Sequence, residues 1–215
     1  MSGMMLNLVG GTFGEAFPTV IGQAYGGGYY AGQIGVSSVA THYLVVGPVA
    51  SAEITNTQYK NANTGVPGAD SVINGPQNTA DMVADGNATV YPAAHFCNDL
   101  VIGGFSDWYM PAQNELEICY YNLKPTTLSN NTGTSTNPNA VPARASNYTT
   151  SNPAQTSVAD FKSTGTQDFS IDQYWCSNEH STTRAWLISF NDGRQYSYQT
   201  KSTMFSVRAV RRVAV

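Results

Sequence analysis

Charged side chains are scarce in this sequence. Only 11% of its 215 residues are Asp, Glu, Lys or Arg, against roughly 25% in an average soluble domain. Aromatic residues still make up 11% and hydrophobic residues 41%, so the low charge does not reflect a disordered composition. Ser, Thr, Asn, Gln, Gly and Tyr take the place of charge, which is typical of short strands joined by long loops.

The sequence also lacks a basic excess and any long apolar run. Ten basic residues stand against 14 acidic ones, giving a net charge of −4, and no basic stripe is present to neutralise phosphates. No apolar run approaches the roughly 20 residues that a membrane helix needs. The first residues show neither the basic nor the apolar part of a secretory signal. We therefore expect no nucleic-acid partner, no membrane insertion and folding in a reducing cytoplasm.

Cysteine is the third scarce residue type. Cys97, Cys119 and Cys176 are odd in number and have no CxxC spacing, which predicts reduced, dispensable thiols and no zinc site. We expect no metal and no cofactor.

Two short motifs superficially resemble ligand-binding loops. The triple glycine at 26–28 is followed by Tyr29 and Tyr30 instead of a GK[ST] motif, which predicts a turn before a strand, not a phosphate loop. Asn191-Asp192-Gly193 predicts a hairpin turn, not a calcium loop, because Gly193 can adopt positive φ.

The distribution of elements predicts an α+β chain in two parts. Residues 1–75 form a glycine-rich β segment that could serve assembly, and residues 76–215 form the main domain. Apolar spacing predicts helices over 91–100 and 112–123, and a short helix could begin near Thr79. Residues 126–170 are a long polar insertion, for which Phe161 and Phe169 are the predicted anchors. Strands over 184–190 and 205–213 close the chain as an antiparallel meander.

Several ordered motifs carry a family resemblance. AAHFCNDL and GGFSDWYMPAQNEL are followed by YWCSNEHSTTRAWLISFNDGRQ and by FSVRAVRRV. In that order they resemble a bacterial and phage domain family found at the C-terminus of collagen-like adhesins, over about residues 91–213. The resemblance implies a C-type lectin-like fold. GQAYGGGYYAGQI also resembles segments of phage tail-fibre and virion proteins. The chain departs from the family at Tyr109, Met110 and Cys176 and in its long insertion.

Four residues are predicted to hold the fold together. Trp108 should plug the core, and Asp107 should be largely buried, with Arg208 as its expected partner. Alternation predicts that Trp186, with Ile188 and Phe190, faces the core, so that Ala185, Leu187 and Ser189 point away from it.

The loop 178–184 and the hairpin 191–198 form the candidate recognition surface. Tyrosines with small polar residues provide contact area and adaptable hydrogen bonds, as in antibody paratopes. The ligand-binding candidates are Asn178, Glu179, His180, Arg184, Arg194, Tyr196 and Tyr198.

Three functions remain open at this point. The leading one is a bacteriophage virion adhesin, on a tail fibre or decorating the head, that is assembled in the host cytoplasm and binds a bacterial surface glycan or protein. It would contact other virion proteins and form a homo-oligomer. The alternative is a purely structural virion subunit without receptor binding. A glycan-degrading enzyme is third, but no GxSxG elbow or spaced carboxylate pair supports catalysis.

Overall fold

A computed structural model describes residues 16–215 as a mixed α+β structure with more strand than helix. The expectation of no secretory signal in the first residues concerns a part of the chain outside the described residues. Within residues 16–215, no helix combines the length and the apolar character needed to cross a membrane.

The elements follow one another along the chain as β1 Ala24–Tyr25, β2 Gly28–Val36, β3 Val39–Val46, α1 Val49–Ala52, β4 Glu53–Gln58, α2 Gly75–Asp85, α3 Pro92–Asn98, α4 Gln113–Leu123, a 3₁₀ helix Ala159–Phe161, β5 Gln173–Ser181, β6 Arg184–Ser189, β7 Gln195–Thr200, β8 Met204–Arg208 and β9 Val210–Ala214.

Two sheets share the C-terminal end of the chain. The first has the order β1-β2-β3-β9, and the second has the order β4-β8-β5-β6-β7. Only Ala209 separates β8 from β9, and its N–H donates to the carbonyl of Ala52 at 2.8 Å while its carbonyl accepts from Gly47 at 3.0 Å. Two strands before residue 75 therefore pair directly with the last strands of the chain: β3 with β9 in one sheet and β4 with β8 in the other.

The helices over 91–100 and 112–123 are confirmed as α3 and α4. The predicted start near Thr79 is wrong, because α2 begins one turn earlier. The Asn74 side chain accepts the N–H of Gln77, and a proline occupies the first turn, a combination that starts helices well. The Thr79 hydroxyl instead donates to the Gly75 carbonyl within the helix at 2.8 Å.

Two apolar clusters pack on opposite faces of β6. Ile188 and Phe190 belong to the cluster with α4, whereas Ala185 and Leu187 belong to the cluster with α2 and α3. Ala185 and Leu187 do point away from the core that Ile188 and Phe190 enter, as predicted, but they enter a second core, and Ser189 is buried as well. A strand with a core on each side loses the alternation of burial that marks a half-exposed strand.

The polar insertion is fixed to the cluster with α4. Phe161 and Phe169 are buried as predicted, together with Ala140 and Tyr148. Ala140 also forms a bridge with Ile34 of β2. The insertion is therefore a folded layer over this part of the domain.

The predicted turns are confirmed. Gly26 and Gly27 lie at positive φ in the turn between β1 and β2, and Gly193 has φ 74° between β6 and β7. The Arg194 N–H donates to the Asp192 carboxylate at 3.1 Å, so this aspartate caps a hairpin turn.

Candidate functional site

Asp107 occupies a different environment from the predicted one. Its side chain is 53% exposed, and its partner is Arg211, with Nε–Oδ1 at 2.7 Å and Nη2–Oδ2 at 2.8 Å. The Arg211 guanidinium also lies 3.8 Å from the centre of the Phe105 ring. The predicted buried pair with Arg208 is therefore wrong. The kink at Ala209 turns Arg208 towards one sheet while Arg211 follows the other.

Arg208 is buried, and its partners come from other parts of the chain. Its Nε donates to the Gly47 carbonyl at 2.9 Å, and its Nη1 donates to the carbonyls of Gln167 and Asp168 at 3.0 and 3.1 Å. Glu53 is its carboxylate partner, at 3.4 Å. Burial raises the pKa of Glu53, and the nearby arginine acts in the opposite direction. The structural role predicted for this residue stands, with a different partner.

Trp108 occupies the core as predicted, at 2% exposure, and its indole N–H donates to the Phe105 carbonyl at 3.1 Å. Trp186 is only half-buried. Its ring meets His180 edge to face at 5.1 Å, so the predicted core residue contributes to the surface.

Two glutamates of α4, Glu115 and Glu117, are buried. Glu115 accepts the N–H groups of Ala112 and Gly75 at 2.8 and 3.1 Å, the Arg212 Nε at 2.6 Å and the Tyr109 hydroxyl. Burial raises its pKa, opposed by the charge of Arg212. The carboxylate thus ties the start of α2 to the start of α4.

Glu117 joins the polar insertion to α4 in the same way. It accepts from Arg144 Nε at 3.1 Å and also from Arg144 Nη2, the Tyr148 hydroxyl and the Asn137 amide. The polar residues on α4 do not indicate these contacts, because the partners lie 20 or more residues away in an insertion without a recognisable motif.

Two predicted recognition residues serve internal contacts. Asn178 is fully buried, and its side chain accepts the Gln113 N–H at 2.9 Å. Glu179 accepts the Val66 N–H at 3.0 Å and pairs with the buried Lys201. Neither side chain is free to bind a ligand on the exposed surface.

The remaining recognition candidates lie towards the end of the second sheet that is opposite β4. Tyr198 is 49% exposed and meets Tyr196 edge to face at 5.3 Å, while the Arg194 guanidinium lies 4.8 Å from the centre of the Tyr196 ring. Tyr196 packs against the cluster with α2 and α3, whereas Trp186 packs against the cluster with α4. The structure therefore divides the candidates between two faces. We name Arg194, Tyr196 and Tyr198 the hairpin patch, and His180 with Trp186 the opposite patch; Arg184 is exposed at the start of β6.

The three cysteines contribute no thiol to these patches. Cys97, Cys119 and Cys176 are unpaired and fully buried, and burial raises the pKa of each thiol. Such thiols are unreactive, because the thiolate is the nucleophile. Over residues 16–215, no three His, Cys, Asp or Glu side chains are placed to hold a metal ion.

Comparison with known proteins identifies the family. The profile of the Lcl C-terminal domain matches residues 63–211. The chain belongs to the Lcl C-terminal domain family. This match includes both α4 glutamates and both candidate patches, and it begins at residue 63, before the motifs that carried the resemblance.

Other comparisons say less about this Lcl C-terminal domain. No curated protein matches the sequence. A fimbrial protein from Bacteroides ovatus is similar in structure, with a TM-score of 0.47 and 11% identity over 85% of this chain and 43% of that protein. This chain thus spans less than half the length of that protein.

Proposed function

We propose that this chain is a recognition domain of a bacteriophage virion that attaches the particle to a glycan or protein on the bacterial surface. The domain would have a C-type lectin-like fold, be assembled in the host cytoplasm and act as a homo-oligomer on a tail fibre or on the head. The phage setting rests on the sequence resemblance, and family membership agrees with a role in adhesion.

The observation that carries the proposal is the hairpin patch. Its two tyrosines contact each other on the edge strand β7, and Arg194, just before that strand, packs on Tyr196. Arg184 lies at the start of the neighbouring strand. Tyrosine and arginine are enriched among residues that dominate binding energy at interfaces. The edge strand β7 pairs with β6, which is buried on both faces. Because this pairing fixes the positions of the patch residues, binding would require little ordering of the site.

The chemistry of the interior favours binding over catalysis. The buried carboxylates Glu115 and Glu117 accept several hydrogen bonds each from the protein itself, so they are occupied in holding the helices and the insertion. The exposed patches consist of aromatic, guanidinium and imidazole groups. This composition suits a contact surface.

Binding of the purified domain to host cells tests the proposal. The double variant Arg194→Ala/Tyr196→Ala should reduce cell binding at least tenfold, since hot-spot residues cost 2 kcal/mol or more when truncated, or about 30-fold in affinity. Flow cytometry with a fluorescently labelled domain measures the loss.

The matched control is Val36→Ser/Val39→Ser. These valines are 60% and 68% exposed at the tip of the β2–β3 hairpin in the other sheet, so the control also changes two surface side chains. It should bind as the parent does. Equal binding by the parent and the hairpin-patch variant would reject the site. A parent domain that binds capsid or tail proteins but no cells would favour the structural subunit, and glycan breakdown by the parent would favour an enzyme.

A further inference from the structure

A depression in the polar insertion is a second site with binding chemistry. Its volume is about 320 Å³, and its lining includes Tyr121, Arg144, Ser146, Asn147, Thr149 and Asn152. Ligand pockets usually measure roughly 300–1,000 Å³, so this one matches a small ligand. A neighbouring depression of about 280 Å³, beside Lys124, has no aromatic residue in its lining.

Arg144, which lines this depression, uses only part of its hydrogen-bonding capacity within the protein. Its Nε and Nη2 both bond to Glu117, and its guanidinium carbon lies 4.1 Å from the centre of the Tyr121 ring. Its Nη1 bonds to no other group within residues 16–215 and can donate to a ligand. Because Glu117 neutralises the guanidinium, the depression presents hydrogen-bond donors without a free positive charge.

The other lining groups add donors and acceptors around an aromatic ring. Asn147 uses its side-chain oxygen to accept the Ser135 N–H at 3.0 Å, which leaves its amide N–H groups for a ligand. Ser146, Thr149 and Asn152 are exposed, and hydroxyl and amide groups both donate and accept. The half-buried Tyr121 supplies an apolar surface beside them.

We propose that this depression binds one neutral sugar residue. The tyrosine would contact the C–H groups of the sugar ring, and Arg144 Nη1 with the amides and hydroxyls would bond to its hydroxyls. A uronic acid or another anionic sugar is not the expected ligand, because the only charged lining residue is paired with a buried carboxylate. The lining of this site includes no residue of the hairpin patch, and the site does not depend on the function of that patch.

Titration of the labelled domain with glucose, galactose, N-acetylglucosamine and glucuronic acid, followed by NMR chemical shifts, tests the proposal. At least one neutral sugar should bind with a Kd of about 1 mM and shift the signals of residues 144–152. Ser146→Trp, which fills the depression from an exposed position, should weaken binding at least tenfold, and so should Tyr121→Leu, which removes the ring. Ser157→Trp, at another exposed position of the insertion, should bind as the parent does.

Four results would overturn the site. They are no binding by any neutral sugar, tighter binding of glucuronic acid, binding that survives Ser146→Trp in a variant with the parent's melting temperature, and loss of sugar binding in Arg194→Ala/Tyr196→Ala. The last would place the sugar on the hairpin patch. Conversely, failure of the domain to bind host cells would leave this titration unaffected.

Discussion

Two regions of the domain use similar side chains in opposite ways. Around α4, Glu115 and Glu117 are buried, and every carboxylate oxygen accepts from arginine, tyrosine or asparagine side chains or from backbone N–H groups. In the hairpin patch, Arg194, Tyr196 and Tyr198 contact one another and remain accessible. Buried polar groups need internal partners, so residue type alone decides neither role. The α4 region holds the fold, and the hairpin patch is available for a partner.

Glu115→Ala should produce the largest effect on stability. It leaves Arg212 without its carboxylate and removes the acceptor for two backbone N–H groups, and breaking a buried pair costs about 3–5 kcal/mol. Urea denaturation measures the change in the free energy of unfolding. Asp99→Ala is the control, because that carboxylate side chain is 66% exposed and should cost less than about 0.5 kcal/mol. Similar losses for both variants would contradict the division between the regions.

Asp107 should show an intermediate effect. Its pair with Arg211 is bidentate but half-exposed, so Asp107→Ala should cost about 1 kcal/mol. A double-mutant cycle with Arg211→Ala should show coupling, whereas a cycle with Arg208→Ala should show almost none. Strong coupling to Arg208 would mean that the arginines on either side of the kink at Ala209 are assigned wrongly.

Tyr198→Ala should have the smallest effect, within about 0.5 kcal/mol of the parent, as for most surface substitutions. The lost edge contact with Tyr196 is made at a half-exposed position. A thermal melt measures this outcome. A loss above 1.5 kcal/mol would show that the hairpin patch stabilises the fold and would weaken its claim to a binding role.

Local sequence patterns predicted the secondary-structure elements better than they predicted the burial and the partners of individual residues. The apolar spacing over 112–123 was sufficient for α4, because such a stripe specifies a helix without knowledge of its partner. The start of α2 was missed because Asn74-Gly75-Pro76 also reads as a turn. Alternation assigned Trp186 to the same face as Ile188 and Phe190, which is correct, but it could not show that this end of the strand is only half-buried.

The sequence alone could not predict which residues far apart in the chain pair with each other. Arg208 and Arg211 lie on one C-terminal segment, and only the kink between β8 and β9 determines which of them reaches Asp107. Likewise, nothing in the composition of the insertion marks Arg144 and Tyr148 as partners of Glu117. The exposure of Arg194 and Tyr198 was anticipated because the Asp192-Gly193 turn fixes the hairpin locally, whereas the burial of Asn178 depends on the distant Gln113.

The strand pair β8–β9 also constrains when the domain can form during translation. β8 lies between β4 and β5, and β9 pairs with β3, so neither sheet is complete until residues 204–214 have left the ribosome. All the earlier strands are synthesised before the segment that joins them. Because contacts so distant in sequence slow folding, a nascent chain would present open sheet edges and unfilled apolar faces until its last strands arrive. Folding is therefore expected largely after synthesis of this region, in a period when chaperones would shield those surfaces.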